Sequence, residues 1–188
     1  GAYAIVRVTH GRKLFVFFNA FFLLGLALPQ QVAMVPMVLW LQKLGLGGSL
    51  LGVCLVYIAA NAAYGVFFFS GFVATVPITL EEAAMIDGAS PFTAFRRIVF
   101  PLLKPPMVTL LIIMILRVWN DFMYPLILLQ GKTSRTLPLT IYLFKGDYST
   151  QWNVMFAATT LAILPLMIVY FIFQKQIISG MLSGSVKQ

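Results

Sequence analysis

The chain has 188 residues, 61% of them hydrophobic and 10% charged, with a formal net charge of +8. A soluble domain is about half apolar and about a quarter charged, so this composition excludes an ordinary water-soluble core and points to lipid as the solvent. The 13 Lys and Arg residues are scattered rather than striped, which argues against nucleic acid, while a lone His10 and a lone Cys54 leave no metal cluster and no disulfide framework.

The opening "GAYAIVRVTHGRK" starts on Gly1 rather than Met and runs from apolar residues into a basic patch. A signal peptide has the reverse order, so this reads as the end of a helix that begins outside the sequence, and the chain as a fragment. A membrane helix needs about 20 apolar residues. Four segments are predicted to span: 14–28, which is short and broken by Pro29-Gln30-Gln31; 50–76; 106–129; and 154–173. After the first, residues 32–41 with Pro36 form a bent or interfacial continuation, and "GLGGS" at 45–49 is a glycine turn. Pro125 and Pro165 inside later spans are tolerable where neighbouring helices satisfy the freed carbonyls.

Lys and Arg in the loops set the orientation. Arg7, Arg12, Lys13, Arg96, Arg97, Lys104, Lys175 and Lys187 fall on one side; Lys43, Lys132, Arg135 and Lys145 fall on the other. The richer side is the cytoplasm, which receives the N-terminus, the loop between spans two and three, and the C-terminus. No repeat or soluble domain interrupts the chain, so residues 1–188 read as one all-α, multi-pass membrane domain.

The loop at 77–101 holds "TLEEAAMIDGASP", with three of the five acids: Glu81, Glu82 and Asp87. Thr79 and Glu82 have capping-box spacing after Pro77, so a helix is predicted to start there. It should stop at Gly88, which can take the left-handed conformation. Ser90-Pro91 reads as an N-cap and first helical residue of a second short helix, ended near Val99 by Phe100-Pro101. Helices this short are marginal alone and need packing. Ala83, Ala84 and Ala89 leave room for another surface to come close.

"EEAAMIDGASPFTAFRRIVFPLLKPP" resembles the EAA loop of bacterial ABC-importer permeases: Glu82, Ala83, Ala84, Gly88, Ile98 and Pro101 match that pattern, and Asp87 and Ala89 fit its "DGA" form. Phe100 stands where Leu is usual. The resemblance implies that this loop is a coupling helix docking on a separate ATPase. "ALPQQVAMVPMVLWLQKLGL", "RVWNDFMYPLILL", "RTLPLTIYLF" and "SGMLSGSVKQ" extend the similarity along nearly the whole chain, to sugar permeases of the maltose-transporter type. "AYAIVR" is then the end of the family's second helix. The expected fold is an N-terminally truncated permease helix bundle.

Other signals carry less. "GKTS" at 131–134 lacks the upstream glycine of a phosphate-binding loop, since Leu126 stands there, so ATP belongs to another subunit. Asn61, Arg117, Asn120 and Asp121 are polar residues at membrane depth and candidates for a substrate path. Arg117 and Asp121, four apart, could equally neutralise each other, and Asn61 could equally hydrogen-bond a neighbouring helix. The resemblance has a small residue near position 117, so Arg117 departs from it. Trp119, Tyr124, Tyr148 and Trp152 read as an aromatic belt, or as contacts for an external binding protein.

The sequence therefore predicts a permease subunit of an ATP-driven importer in the bacterial cytoplasmic membrane, working by alternating access on a sugar or oligosaccharide. It predicts no catalytic residue, no metal and no cofactor in this chain. The implied partners are a cytoplasmic ATPase dimer that binds ATP, a second permease subunit (copy or paralogue), an extracytoplasmic solute-binding protein and membrane lipid. The alternatives are a permease for another solute, a self-sufficient secondary transporter, which would need coupling-ion sites at broken midplane helices, and a non-transporting membrane scaffold.

Overall fold

A computed structural model of the chain describes residues 1–7, 12–129, 135–145 and 151–185, the side chains of Arg12 and of 176–185 excepted. The "GKTS" segment, Tyr148, Lys132, Lys187 and His10 lie outside the described residues. Among the described residues the regular elements are all helical, as the composition predicts.

The N-terminal apolar stretch is helix α1, Ala2–Arg7, and the first predicted span is α2, Arg12–Ala27. Pro29, extended at φ −60° and ψ 127°, starts α3, Gln30–Lys43, as its N-cap; Pro36 sits inside it. The second span is one continuous helix, α4, Leu50–Thr75. Its N-terminus is fixed by Ser49, whose Oγ accepts the Gly52 N–H at 3.0 Å and donates to the Leu46 carbonyl at 2.7 Å. The turn before it uses Gly45 and Gly48 at φ +71° and +69°, conformations open to glycine without a Cβ penalty.

The third predicted span is not one helix. Helix α8, Lys104–Trp119, ends at Asn120, and a separate α9, Met123–Leu128, follows. Asn and Asp offer the backbone local alternatives to the helix ladder, and Asp121 takes one, accepting the Met123 N–H at 3.0 Å. After α10, Leu137–Tyr142, the last span is α11, Trp152–Ser185, which outruns the predicted 154–173 at both ends.

Among the described residues two helices, Leu50–Thr75 and Trp152–Lys175, are long and apolar enough to cross a membrane unbroken, and two further pairs qualify as broken spans. The most apolar window of Trp152–Lys175 has none of its residues buried. In water such a helix would expose Phe156, Leu161, Ile168 and Phe171; beside lipid or other helices it needs no correction.

The chain divides into two compact units. Among the described residues, one comprises 1–7, 12–28, 61–112 and 176–185; Val73, Val99 and Leu103 form its core, with Tyr3, Val6, Phe72 and Phe95 packed around them. The other comprises 29–60, 113–129, 135–145 and 151–175; its core joins Met34, Leu41, Val53, Val56, Tyr124, Leu128, Leu129 and Leu139.

Candidate functional site

The charged interruption in the sequence folds as two short helical pieces in the first unit. Helix α5 covers Ile78–Ile86. The Thr79 capping box does not form: Pro77 is the N-cap, no side chain caps the helix, and the Leu80 N–H already reaches the Pro77 carbonyl at 3.3 Å. Thr79 therefore lies inside the first turn, too late to cap it.

The predicted stop at Gly88 is present. Gly88 has φ +85°. Its N–H donates to the Met85 carbonyl at 3.0 Å, and the Ala89 N–H reaches back to Ala84 at 2.9 Å. These two bonds make a Schellman motif, satisfying carbonyls the helix end would leave unpaired. Next, Ser90 caps Pro91 as predicted, its Oγ accepting the Thr93 N–H at 3.2 Å.

The second piece does not end at Val99. It runs as helix α6, Pro91–Ala94, a π-helical turn, Phe95–Val99, and helix α7, Phe100–Leu102, before a 63° bend into α8. The cause is Pro101. In a plain α-helix its ring presses on the carbonyl four residues back and its missing N–H breaks the ladder. The wider turn, with the Phe100 N–H bonding to Phe95, lets the helix continue past it.

Of the motif residues, Glu82, Ala83, Asp87, Gly88 and Pro101 are exposed; Ala84, Ala89 and Ile98 are half-buried. They share the surface with large apolar side chains: Ile86 is 86% exposed and Phe92 70%, with Leu80 and Met85 also open. Large apolar side chains thus stand open among the charged and small residues of the capped loop. Ile86 and Phe92 lie outside the motif, and their one mark in the sequence is that each is an apolar residue two positions from a cap, Gly88 or Ser90.

Glu81 behaves differently from Glu82. It is 2% exposed. Arg7 Nε donates to its Oε1 at 2.7 Å, and the Tyr3 hydroxyl donates to its Oε2 at 2.6 Å. Arg7 Nη2 also donates to the carbonyls of Val73, at 3.2 Å, and Val76. A single guanidinium thus serves a carboxylate and two backbone carbonyls at the end of α4, a set of acceptors that its planar fork of donors suits. The Tyr3 ring lies against Phe95, centroids 4.6 Å apart. Removing one member of such a buried pair typically costs about 3–5 kcal/mol, because the other charge is left unmet. Residues 74 and 78 positions apart in sequence carry no local pattern to announce them.

Of the substrate-path candidates, Asn61 lies in α4, Arg117 lies near the end of α8, and Asn120 and Asp121 form the break before α9. Asp121 accepts the Tyr57 hydroxyl at 2.7 Å as well as the Met123 N–H, so it braces the α8–α9 break. Asn120 donates to the Leu116 carbonyl at 2.8 Å. It lines a cavity of about 380 Å³ with Trp119, Phe122, Tyr142 and Thr159. Trp119 anchors one wall by donating its indole N–H to the Ala162 carbonyl at 3.2 Å. Of the predicted aromatic belt, Trp152 is exposed and Tyr124 buried. No group of His, Cys, Asp and Glu able to hold a metal occurs among the described residues.

Comparison with known proteins places these features in a family. Residues 1–183 match the binding-protein-dependent transport system inner membrane component. The chain is 42% identical over 188 residues to the multiple sugar-binding transport system permease protein MsmG of Streptococcus mutans, covering 99% of this chain and 68% of that protein. It is 38% identical over 188 residues to the "Probable starch degradation products transport system permease protein AmyC" of Thermoanaerobacterium thermosulfurigenes, covering 100% and 67%. It is 36% identical over 165 residues to the arabinooligosaccharides transport system permease protein AraQ of Bacillus subtilis, covering 88% and 58%. With the match spanning nearly the whole sequence, the chain belongs to the binding-protein-dependent transport system inner membrane components, and is a multi-pass transport permease rather than an enzyme.

Proposed function

We propose that this chain is the permease subunit of an ATP-driven sugar or oligosaccharide importer, and that residues 78–102 receive the movement of a separate cytoplasmic ATPase. The observation that carries the coupling role is the surface of this loop. Two short helices, one closed by Gly88 and one opened by Ser90, present Ile86 and Phe92 beside Glu82 and Ala83, all exposed. Apolar side chains so placed are stable in the assembled protein when a partner covers them. Small residues at 83, 84 and 89 let that partner approach closely.

The solute class rests on the sugar and oligosaccharide systems named for MsmG, AmyC and AraQ. The cavity at Trp119, Phe122, Tyr142 and Asn120 has a lining that suits it, since aromatic rings can face the apolar side of a sugar ring while an amide meets its hydroxyls. The Lys and Arg distribution puts the loop in the cytoplasm. A solute-binding protein delivers cargo outside, a second permease subunit completes the path, and nucleotide states in the ATPase bias inward- against outward-facing conformations.

The test is uptake of radiolabelled maltooligosaccharides and arabinooligosaccharides into proteoliposomes holding the full-length permease, its paired subunit, the ATPase and the binding protein. Accumulation that requires both ATP and the binding protein is expected. Accumulation driven by an ion gradient without ATP would overturn the proposal.

A further inference from the structure

The two adjacent glutamates of the loop face opposite ways. Glu82 is exposed, whereas Glu81 is buried and held by Tyr3 and Arg7. Around that contact four pieces of chain meet. Arg7 joins α1 to α5 through Glu81, and to the end of α4 through the Val73 and Val76 carbonyls. Tyr3 joins α1 to α5 through the other carboxylate oxygen, and to the π-helical turn through Phe95. Val6, Tyr3, Phe95 and Phe72 close around Val73, Val99 and Leu103. Helix α1 is therefore clamped to both halves of the loop, by directional bonds on one side and apolar packing on the other.

We propose that Glu81 is a positioning residue, the latch by which loop 78–102 and α1 move as one body when the ATPase changes state. This rests on the coupling role proposed above and extends it inward, to the element that carries the movement into the membrane region. A loop held only by its chain ends would hinge at Pro77 and at the bend after Leu102, and its displacement would be absorbed there. The Glu81 carboxylate removes that freedom, because two donors on α1 fix both of its oxygens. Packed, fully bonded contacts of this kind transmit a shift rather than dissipate it.

The test is a pair of spin labels, on Ala4→Cys in α1 and Thr79→Cys in α5, with Cys54→Ala, in the full-length permease assembled with its paired subunit and ATPase. Label separation is read without nucleotide, with ATP, and after vanadate trapping. In an otherwise wild-type background one unchanged separation is expected in all three states. In Arg7→Gln/Glu81→Gln, which removes both charges and leaves neither buried alone, the separation should split into two populations once nucleotide is present, with the ATPase still bound.

A single unchanged separation in the paired variant overturns the latch, and so does a nucleotide-dependent change in the otherwise wild-type background. Should the paired variant fail to insert, Tyr3→Phe decides alone: it removes only a hydroxyl, a broadened nucleotide-dependent separation supports the latch, and an unchanged one overturns it. Loss of the ATPase from the otherwise wild-type assembly would instead overturn the coupling role itself. The two failures are thus read separately.

Discussion

Tyr57 and Asp121, 64 positions apart, are joined by a hydroxyl-to-carboxylate hydrogen bond of 2.7 Å, and the other oxygen of the same carboxylate accepts the Met123 N–H at 3.0 Å. One side chain thereby starts α9 and ties the α8–α9 break to α4. Each such bond contributes about 0.5–1.5 kcal/mol, so Asp121→Ala should destabilise the purified permease by about 1–3 kcal/mol. Asp121→Asn, which keeps an acceptor, should cost less. The measurement is the unfolding midpoint in detergent; an Asp121→Ala variant as stable as wild type would mean that the brace contributes nothing.

Gly52 is required by space rather than by backbone angle. A Cβ built there lies 2.6 Å from the Leu46 carbonyl oxygen, a backbone atom already engaged by Ser49. Gly52→Ala must therefore push the turn before α4 outward, and overpacking of this kind costs about 1–3 kcal/mol. Gly65, where a Cβ meets nothing, is the control. Gly65→Ala in the same helix should be neutral or stabilising. The same unfolding assay separates them, and equal midpoints would contradict the close approach.

Gly88→Val should uncouple transport while leaving insertion intact. At φ +85° a β-branched residue is strongly disfavoured, so the Schellman bonds from Gly88 and Ala89 are lost and Ile86 is re-aimed. Nothing lies within 4 Å of a Cβ at this position, so the defect comes from backbone conformation and not from a clash. Gly88→Asn, which tolerates the left-handed region, should keep more activity than Gly88→Val. ATP-driven uptake normalised to membrane-inserted protein is the readout, and equal uptake by all three proteins would remove the requirement.

The elements the sequence announces most clearly are those set by local chemistry. Leu50–Thr75 is a long apolar run behind a serine cap, and Gly88 and Ser90-Pro91 punctuate the loop as their residue types require. What escapes the sequence is set by partners far along the chain. Glu81 and Glu82 look alike in one dimension; only the arrival of Arg7 and Tyr3 turns the first inward, and the capping role expected of Thr79 gives way to a start at Pro77. Pro101 reads as a stop, yet a π-helical turn carries the helix past it. Asp121 reads as a polar group at membrane depth, either in a solute path or structural, and its bond to Tyr57, which lies in another helix, has no mark in the sequence.

Ile86→Asp and Phe92→Asp should each weaken binding of the ATPase without changing the fold, since both side chains already lie open in this chain. Burying a large apolar side chain contributes about 1.5–3 kcal/mol, and losing it lowers affinity roughly tenfold to hundredfold. Titration of the ATPase against the reconstituted permease gives the constant. Wild-type affinity for both variants would place the interface elsewhere.

Crosslinking in the assembled transporter decides whether residues 78–102 lie against the ATPase. Cysteine at Ala83, which is exposed, is introduced with Cys54→Ala and paired in turn with single cysteines on the ATPase surface, in the assembled transporter. A permease–ATPase crosslink from position 83 is expected, with a yield that changes with nucleotide. Formation of crosslinks from Arg135, on the opposite side of the membrane by the Lys and Arg distribution, with none from position 83, would contradict both the orientation and the coupling role of the loop.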